Sequence, residues 1–252
     1  MGLFDFLKTK DKPVEERIQL RGNHPECDNT KTQVIANLLA IPHEQRDDNW
    51  HSTFYENVQT ASFTCGNPQV FTGPDELPYF ALHITGSNIP GESFCIRGMK
   101  DDLLHYGYGI SINPTPHGAD WVFSNGDILN LHMNQEFFTA SDLNLPNEVT
   151  IQKDEQILLA QPLEAYLPAR TRQLLKTFLQ SKGVKRPQVM LVSRPVEGRM
   201  LQQLAFNIFP EDFKSQGDLN YRLAQISWFL PRHYTILILP RKSELKNNLA
   251  DL

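Results

Sequence analysis

The chain has 252 residues, 40% of them hydrophobic and 10% aromatic, which is enough apolar side chain for one large or two ordinary cores and excludes an intrinsically disordered polymer. Its 24 Lys and Arg against 29 Asp and Glu give a formal net charge of -5, so there is no basic excess to neutralise a phosphate backbone, and nucleic acid is not an expected partner. Three widely spaced cysteines, Cys27, Cys65 and Cys95, argue against a disulfide framework and for a reducing compartment, the cytoplasm, while the longest apolar runs are strand-sized and none spans a membrane.

Residues 1–10 carry Leu3, Phe4, Phe6 and Leu7 but neither the cationic region nor the small-residue cleavage site of a secretory signal. Phe6 also stands where a myristoylation signal beginning at Gly2 requires Ser or Thr. The expectation is a short helix whose apolar face docks on the protein's own body, since so short a helix is marginal unless packed. Residues 11–30 are polar and charged, contain Pro13, Gly22 and Pro25, and read as a linker or irregular arm. Within 32–41, Val34, Leu38 and Leu39 fall in helical register, and Pro42 closes the segment. Trp50, Phe54, Tyr55 and Val58 predict a second amphipathic helix, with Asp47, Asp48 and Asn49 placed to cap and charge-stabilise its first turn.

From Ala61 the texture changes to short apolar runs between turn residues. They predict strands at 62–65, 69–71, 77–84, 93–96, 109–112, 120–124 and 149–152, with one helix at 100–106. Gly66-Asn67-Pro68, Gly73-Pro74, Gly86-Ser87-Asn88 and Ser124-Asn125-Gly126 supply the turns. No fixed repeat period and no low-complexity segment is present.

The last third is the clearest part of the pattern. Leu174, Leu175, Phe178 and Leu179 form a helix opened by Pro168 near its first turn and ended by Gly183. Apolar runs at 189–192 and 201–209 predict two strands about a turn at 194–199, the second stopped by Pro210. Leu219, Leu223, Ile226, Phe229 and Leu230 predict a further helix capped by Asp218, and 234–239 a last strand. Helix, strand, strand, helix, strand is the order of a two-layer module with helices on one face of a sheet. The fold class expected is α+β in two modules: an arm at 1–30, an N-terminal domain at 31–160 in which helices precede a mixed sheet, and a C-terminal module at 161–252.

Over about residues 71–239 the chain resembles the bacterial enhanced-serine-sensitivity SseB-like proteins. Phe71-Thr72-Gly73-Pro74-Asp75-Glu76-Leu77 is similar to that family's strand and helix start, and Gly107-Tyr108-Gly109-Ile110-Ser111-Ile112-Asn113-Pro114 to its glycine, apolar strand and Asn-Pro segment. Leu174-Leu175, Phe178-Leu179, Val184, 189–192 and 204–209 fall in the order of its C-terminal domain. Where that family tends to carry an acidic, glycine-containing turn, this chain has Phe209-Pro210-Glu211-Asp212-Phe213, and its opening helices have no counterpart. The resemblance implies a cytoplasmic bacterial protein without an assigned catalytic activity, and it carries over no functional residues.

Reaction chemistry is sparse. His24 and Cys27 have a ligand-like spacing, but zinc needs four donors, and the pair reads as incidental on an exposed arm, with His43 and His51 further along. Cys95, His117 and Asp120 could supply the nucleophile, base and orienter of a thiol hydrolase, against the competing reading of Cys95 as a buried strand residue. Asp101-Asp102 and Glu211-Asp212 look like solvated helix starts. No phosphate-binding glycine motif occurs, because Gly107-Tyr108-Gly109 precedes a strand and not a helix. No catalytic residue, cofactor or metal is therefore assigned. Aromatic residues are expected mostly in the core, and an interface, if one is present, is expected on the helix of Trp50, Phe54 and Tyr55 or on the strand of Trp121. The function expected is a non-catalytic binding or adaptor protein acting on a protein partner. One version is an immunity-type protein whose acidic charge masks a basic active-site rim. The alternative is a small thiol hydrolase using Cys95, His117 and Asp120.

Overall fold

A computed structural model of the chain describes residues 20, 22–84, 92–140, 156–196 and 198–252, and divides into two compact units, Met1–Phe137 and Phe138–Leu252. The fold class is α+β, with one mixed sheet in each unit. The helix expected at 1–10, residues 11–19 and 21 of the arm, the Gly86-Ser87-Asn88 turn and the strand at 149–152 lie outside the described residues. Among the described residues, no helix is long and apolar enough to cross a membrane.

In the first unit, α1 (Asn29–Leu39) starts where the Asp28 carboxylate accepts the Thr30 N–H. Its buried position is Ile35, and Val34 is 37% exposed, so the inward stripe is rotated from the one the Val34, Leu38, Leu39 register implies. α2 (Asp48–Val58) is capped by Asp47, which accepts the Trp50 N–H at 2.8 Å. It buries Trp50, Phe54 and Val58, one residue every four, as an amphipathic helix requires. The Trp50 indole N–H donates to the Leu38 carbonyl at 2.8 Å, tying α2 to the end of α1.

The first sheet has the order β1 (Thr64–Thr72), β2 (Pro78–His83), β3 (Gly109–Ile112) and β4 (Trp121–Phe123). β1 and β2 are antiparallel, β2 and β3 parallel, and β3 and β4 antiparallel. The parallel pair needs a crossover, which contains α3 (Ile96–Tyr106). Gly107 ends that helix at φ +74, a left-handed conformation that glycine adopts without a Cβ penalty.

Three local expectations are corrected here. The strands expected at 62–65 and 69–71 are a single β1, because Gly66-Asn67-Pro68 is absorbed as an irregularity between Cys65 and Val70 and not as a turn. At 93–96 the extended pairing is an isolated bridge between Phe94 and Phe63, and Cys95 is the extended N-cap of α3 instead of a strand residue. Ser124-Asn125-Gly126 is not a hairpin turn but the start of α4 (Asn125–Asn134). Ser124 Oγ accepts the Asp127 N–H at 3.0 Å and the Asp127 carboxylate accepts the Ser124 N–H at 2.9 Å, a capping box that satisfies two donors at once. Ser124→Ala is expected to cost about 1 kcal/mol of stability, read as a lower denaturation midpoint at unchanged slope.

The second unit contains α5 (Ala169–Ser181), β6 (Gln188–Val196), β7 (Arg199–Phe206), α6 (Gln216–Ser227) and β8 (Thr235–Leu237) in the expected order. Two short strands, β5 (Leu158–Ala160) and β9 (Ala250–Asp251), both pair antiparallel with β6. Leu158–Ala160 therefore belongs to this sheet and not to a first domain ending at 160, and its Leu159 packs on the Met190, Val192, Ala205, Leu237 and Leu239 cluster. Leu245 and Leu249 pack on the same cluster. Val189, Leu191, Leu204 and Phe206, which point to the opposite face, are also buried, and this two-sided burial is why 189–192 reads as a continuous apolar run.

Smaller differences have local causes. β6 extends through Arg194, which pairs with Leu201, so the turn expected at 194–199 is shorter. Pro168 is the N-cap of α5, and Gly183 follows it at φ +94. α6 is capped by Ser215, whose hydroxyl accepts the Asp218 N–H at 3.1 Å, so Asp218 lies inside the helix it was expected to cap.

The two units share a topology that no sequence period announces. α2-β1-β2-α3-β3 and α5-β6-β7-α6-β8 each run helix, antiparallel hairpin, helix, then a strand parallel to the second hairpin strand.

Candidate functional site

The residues expected at an interface divide between core and surface. Trp50 and Phe54 are 3% and 0% exposed and belong to the core, which corrects their assignment as contact residues. Trp50 stacks on Phe54 at 4.8 Å between centroids, Trp121 lies 4.7 Å from Phe54, and Phe123 stacks on Phe137 at 4.1 Å. Positions 50, 54 and 58 form the inward stripe of α2, so Tyr55, one residue further round, is only half-buried. Tyr55 and Trp121 are 5.9 Å apart and both keep some surface. Val122, which follows Trp121 on β4, the last strand of its sheet, is 42% exposed and points to the opposite face.

The thiol-hydrolase set is not joined. Cys95 is fully buried, and burial, with the Cys27 thiol beside it, pushes its own thiol up to about 12, the opposite of what a nucleophilic cysteine needs. His117 is exposed in the Thr115 to Gly118 turn, where its backbone N–H donates to Thr115 Oγ1. Asp120 accepts from the Asn113 amide at 2.7 Å. Among the described residues, no hydrogen bond links Cys95, His117 and Asp120.

The segment holding His24 and Cys27 is not a loose exposed arm. A Cβ added at Gly98, in the first turn of α3, would sit 2.5 Å from His24 Cγ, so the imidazole lies directly on that helix. Cys27 Sγ is 2.6 Å from Cys95 Sγ. Among the described residues, no three His, Cys, Asp or Glu side chains come together in a way that could hold a metal ion.

A groove of about 700 Å³ in the second unit went unnoticed in the sequence. It is bounded by the end of α5 at Lys182 and Val184, the chain leaving β7 from Asn207 to Phe209, the segment from Asp212 to Lys214, the outer side of α6 at Asp218, Tyr221 and Arg222, and Arg241. The guanidinium of Arg241 lies 4.7 Å over the Phe209 ring and pairs with Asp212, and its backbone N–H donates to the Glu211 carboxylate. Arg222 lies 5.7 Å from the Phe178 ring and donates to Gln225 Oε1 at 3.1 Å. Four cationic side chains, Lys182, Lys214, Arg222 and Arg241, stand against the carboxylates of Asp212 and Asp218 in the lining and of Glu211 at its edge, so cations outnumber carboxylates by one in a chain of net charge -5. Among the described residues its lining contains the Tyr221 hydroxyl but no cysteine, histidine, serine or threonine. Phe209, Asp212 and Phe213 of the sequence stretch Phe209-Pro210-Glu211-Asp212-Phe213 line it.

No protein-family model, curated protein or solved structure matches the chain.

Proposed function

We propose that the chain is a non-catalytic, cytoplasmic bacterial binding protein of the SseB-like type, acting through protein contacts, with the groove of the second unit receiving an acidic segment of its partner. What supports this reading is the lining of that groove. Phe209, Phe213 and Tyr221 offer rigid apolar and amphipathic surface, while Lys182, Lys214, Arg222 and Arg241 outnumber the carboxylates and favour an anionic ligand. The thiol-hydrolase alternative has no comparable support, since its nucleophile is buried and its three residues are not hydrogen-bonded to one another.

A set of fluorescent ten-residue peptides rich in Asp and Glu with one or two aromatic residues, titrated against the full chain by anisotropy, tests the proposal. Saturable binding is expected, weakened about tenfold, or about 1.4 kcal/mol, by Tyr221→Ala or Lys214→Glu, and absent for basic peptides of the same length. Equal affinity for acidic and basic peptides, or indifference to both substitutions, rules the groove out. Cysteine-dependent turnover of thioester substrates, lost in Cys95→Ser, would instead establish the hydrolase.

A further inference from the structure

We propose that Cys27 and Cys95 form a reversible thiol–disulfide site, with Cys27 as the thiol that meets the oxidant and Cys95 as the thiol that resolves it. The two residues are 68 positions apart in the chain, yet their sulfurs are 2.6 Å apart, against about 2.05 Å in a formed disulfide. Their proximity does not depend on the sulfurs themselves. The Asn23 N–H donates to the Ser93 carbonyl at 2.6 Å, and the Ser93 N–H donates to Asn23 Oδ1 at 3.0 Å. The Asp28 N–H donates to the Thr60 carbonyl at 2.7 Å, and the His24 ring rests on Gly98. Residues 23 and 24 are thus held on 93–98, and Asp28, on the other side of Cys27, is held on Thr60, whose neighbour Gln59 accepts the Arg97 N–H at 2.8 Å, so bond formation asks for little backbone movement.

The two thiols differ in the way the roles require. Cys27 is half-buried and keeps some surface, whereas Cys95 is fully buried. Burial holds Cys95 protonated, so it is unreactive towards reagents in solution, while its fixed contact with Cys27 makes the resolving step intramolecular. Its place at the N-cap of the eleven-residue α3 puts the positive end of the helix beside the thiolate that must form transiently. Cys65 is an internal control: it is half-buried on β1 and its sulfur accepts from the Gln69 amide at 3.4 Å.

The oxidant is a low-molecular-weight disulfide, and the step balances. The Cys27 thiolate attacks one sulfur of the reagent, the reagent's S–S bond breaks, and the released thiolate takes up the proton that Cys27 gave. Cys95 then attacks the Cys27 sulfur, the mixed disulfide breaks, and the second thiolate leaves with the Cys95 proton. Two protein thiols and one reagent disulfide become one protein disulfide and two reagent thiols, with two electrons passed to the reagent. The product ties the 23–28 segment covalently to the start of α3.

The reduced full-length chain, incubated with glutathione disulfide, acid-quenched, alkylated and mapped by mass spectrometry, tests the site. Loss of two of the three thiols is expected, with a linked peptide pair joining Cys27 to Cys95, Cys65 alkylated, and full reversal by dithiothreitol. Cys95→Ser should stop at a glutathione adduct on Cys27, and Cys27→Ser should leave Cys95 unmodified until the chain is unfolded. Retention of all three thiols, a wild-type product that stops at the Cys27 adduct, or a disulfide involving Cys65 each overturns the proposal. Circular dichroism checks folding, and if Cys95→Ser fails to fold, the wild-type mapping together with Cys27→Ser, which changes a half-buried position, still decides between these outcomes.

Discussion

Phe54→Ala is expected to destabilise the first unit by about 3–5 kcal/mol, the cost of removing a large buried ring whose site cannot collapse. Phe54 is fully buried and its ring touches those of Trp50, Tyr55, Trp121 and Phe123, so the void would be lined by rigid aromatic faces that have few alternative rotamers. Urea denaturation followed by tryptophan fluorescence reads the change directly, because Trp50 and Trp121 flank the missing ring. Tyr55→Ala is the companion measurement. Tyr55 is half-buried at the edge of the same cluster and should cost clearly less, which would confirm that α2 turns one stripe inward and keeps another for the surface. A Phe54→Ala cost below about 1 kcal/mol would mean that the cluster is not close-packed and that the interface assignment of this helix should be reopened.

Gln203→Leu is expected to cost about 1.5–3 kcal/mol, the range for a hydrogen bond to a charged group. Arg194 and Gln203 are 7% and 4% exposed on adjacent strands, and the Arg194 Nε donates to Gln203 Oε1 at 3.1 Å. Removing the amide leaves a buried guanidinium N–H without that acceptor, while the leucine gains little because the face is already lined by Met190, Val192 and Ala205. The double variant Arg194→Met with Gln203→Leu is expected to be more stable than Gln203→Leu alone, since replacing both partners of a buried polar pair removes the desolvation cost together with the bond. A double-mutant cycle in guanidinium chloride measures this coupling, and strictly additive effects would show that the two side chains act independently.

Wherever local chemistry decides, the elements were legible. The Asp47 cap and the Trp50, Phe54, Val58 spacing suffice for α2; the run 109–112 suffices for β3; and the five elements from α5 to β8 follow from their apolar periods and from Gly183 and Pro210. α4 was missed for a physical reason. Its polar residues Asn125, Asp127 and Asn130 are buried together with Ile128, Leu129 and Leu131, so polarity does not mark an outward face, and Asn125-Gly126 carries the signature of a hairpin turn. Its capping box, Ser124 with Asp127, was the available signal. The candidate site was less legible still: Trp50 and Phe54 share their residue types with Tyr55 and Trp121, and which aromatic face points outward depends on what the sheet covers.

The sequence by itself determined the fold class, the order of the five elements from α5 to β8, the Asp47 cap, the breaks at Pro42, Gly183 and Pro210, and the absence of phosphate-loop motifs, because these depend on residues a few positions apart. Tertiary structure alone decided the pairing of Leu158–Ala160 with the second sheet, the topology common to both units, the cationic groove around Phe209 and Tyr221, and the meeting of Cys27 with Cys95. Each of these joins segments tens of residues apart whose side chains carry no mutual signal in the chain, and they meet because burying the apolar faces of the sheets and helices leaves the intervening segments nowhere else to lie.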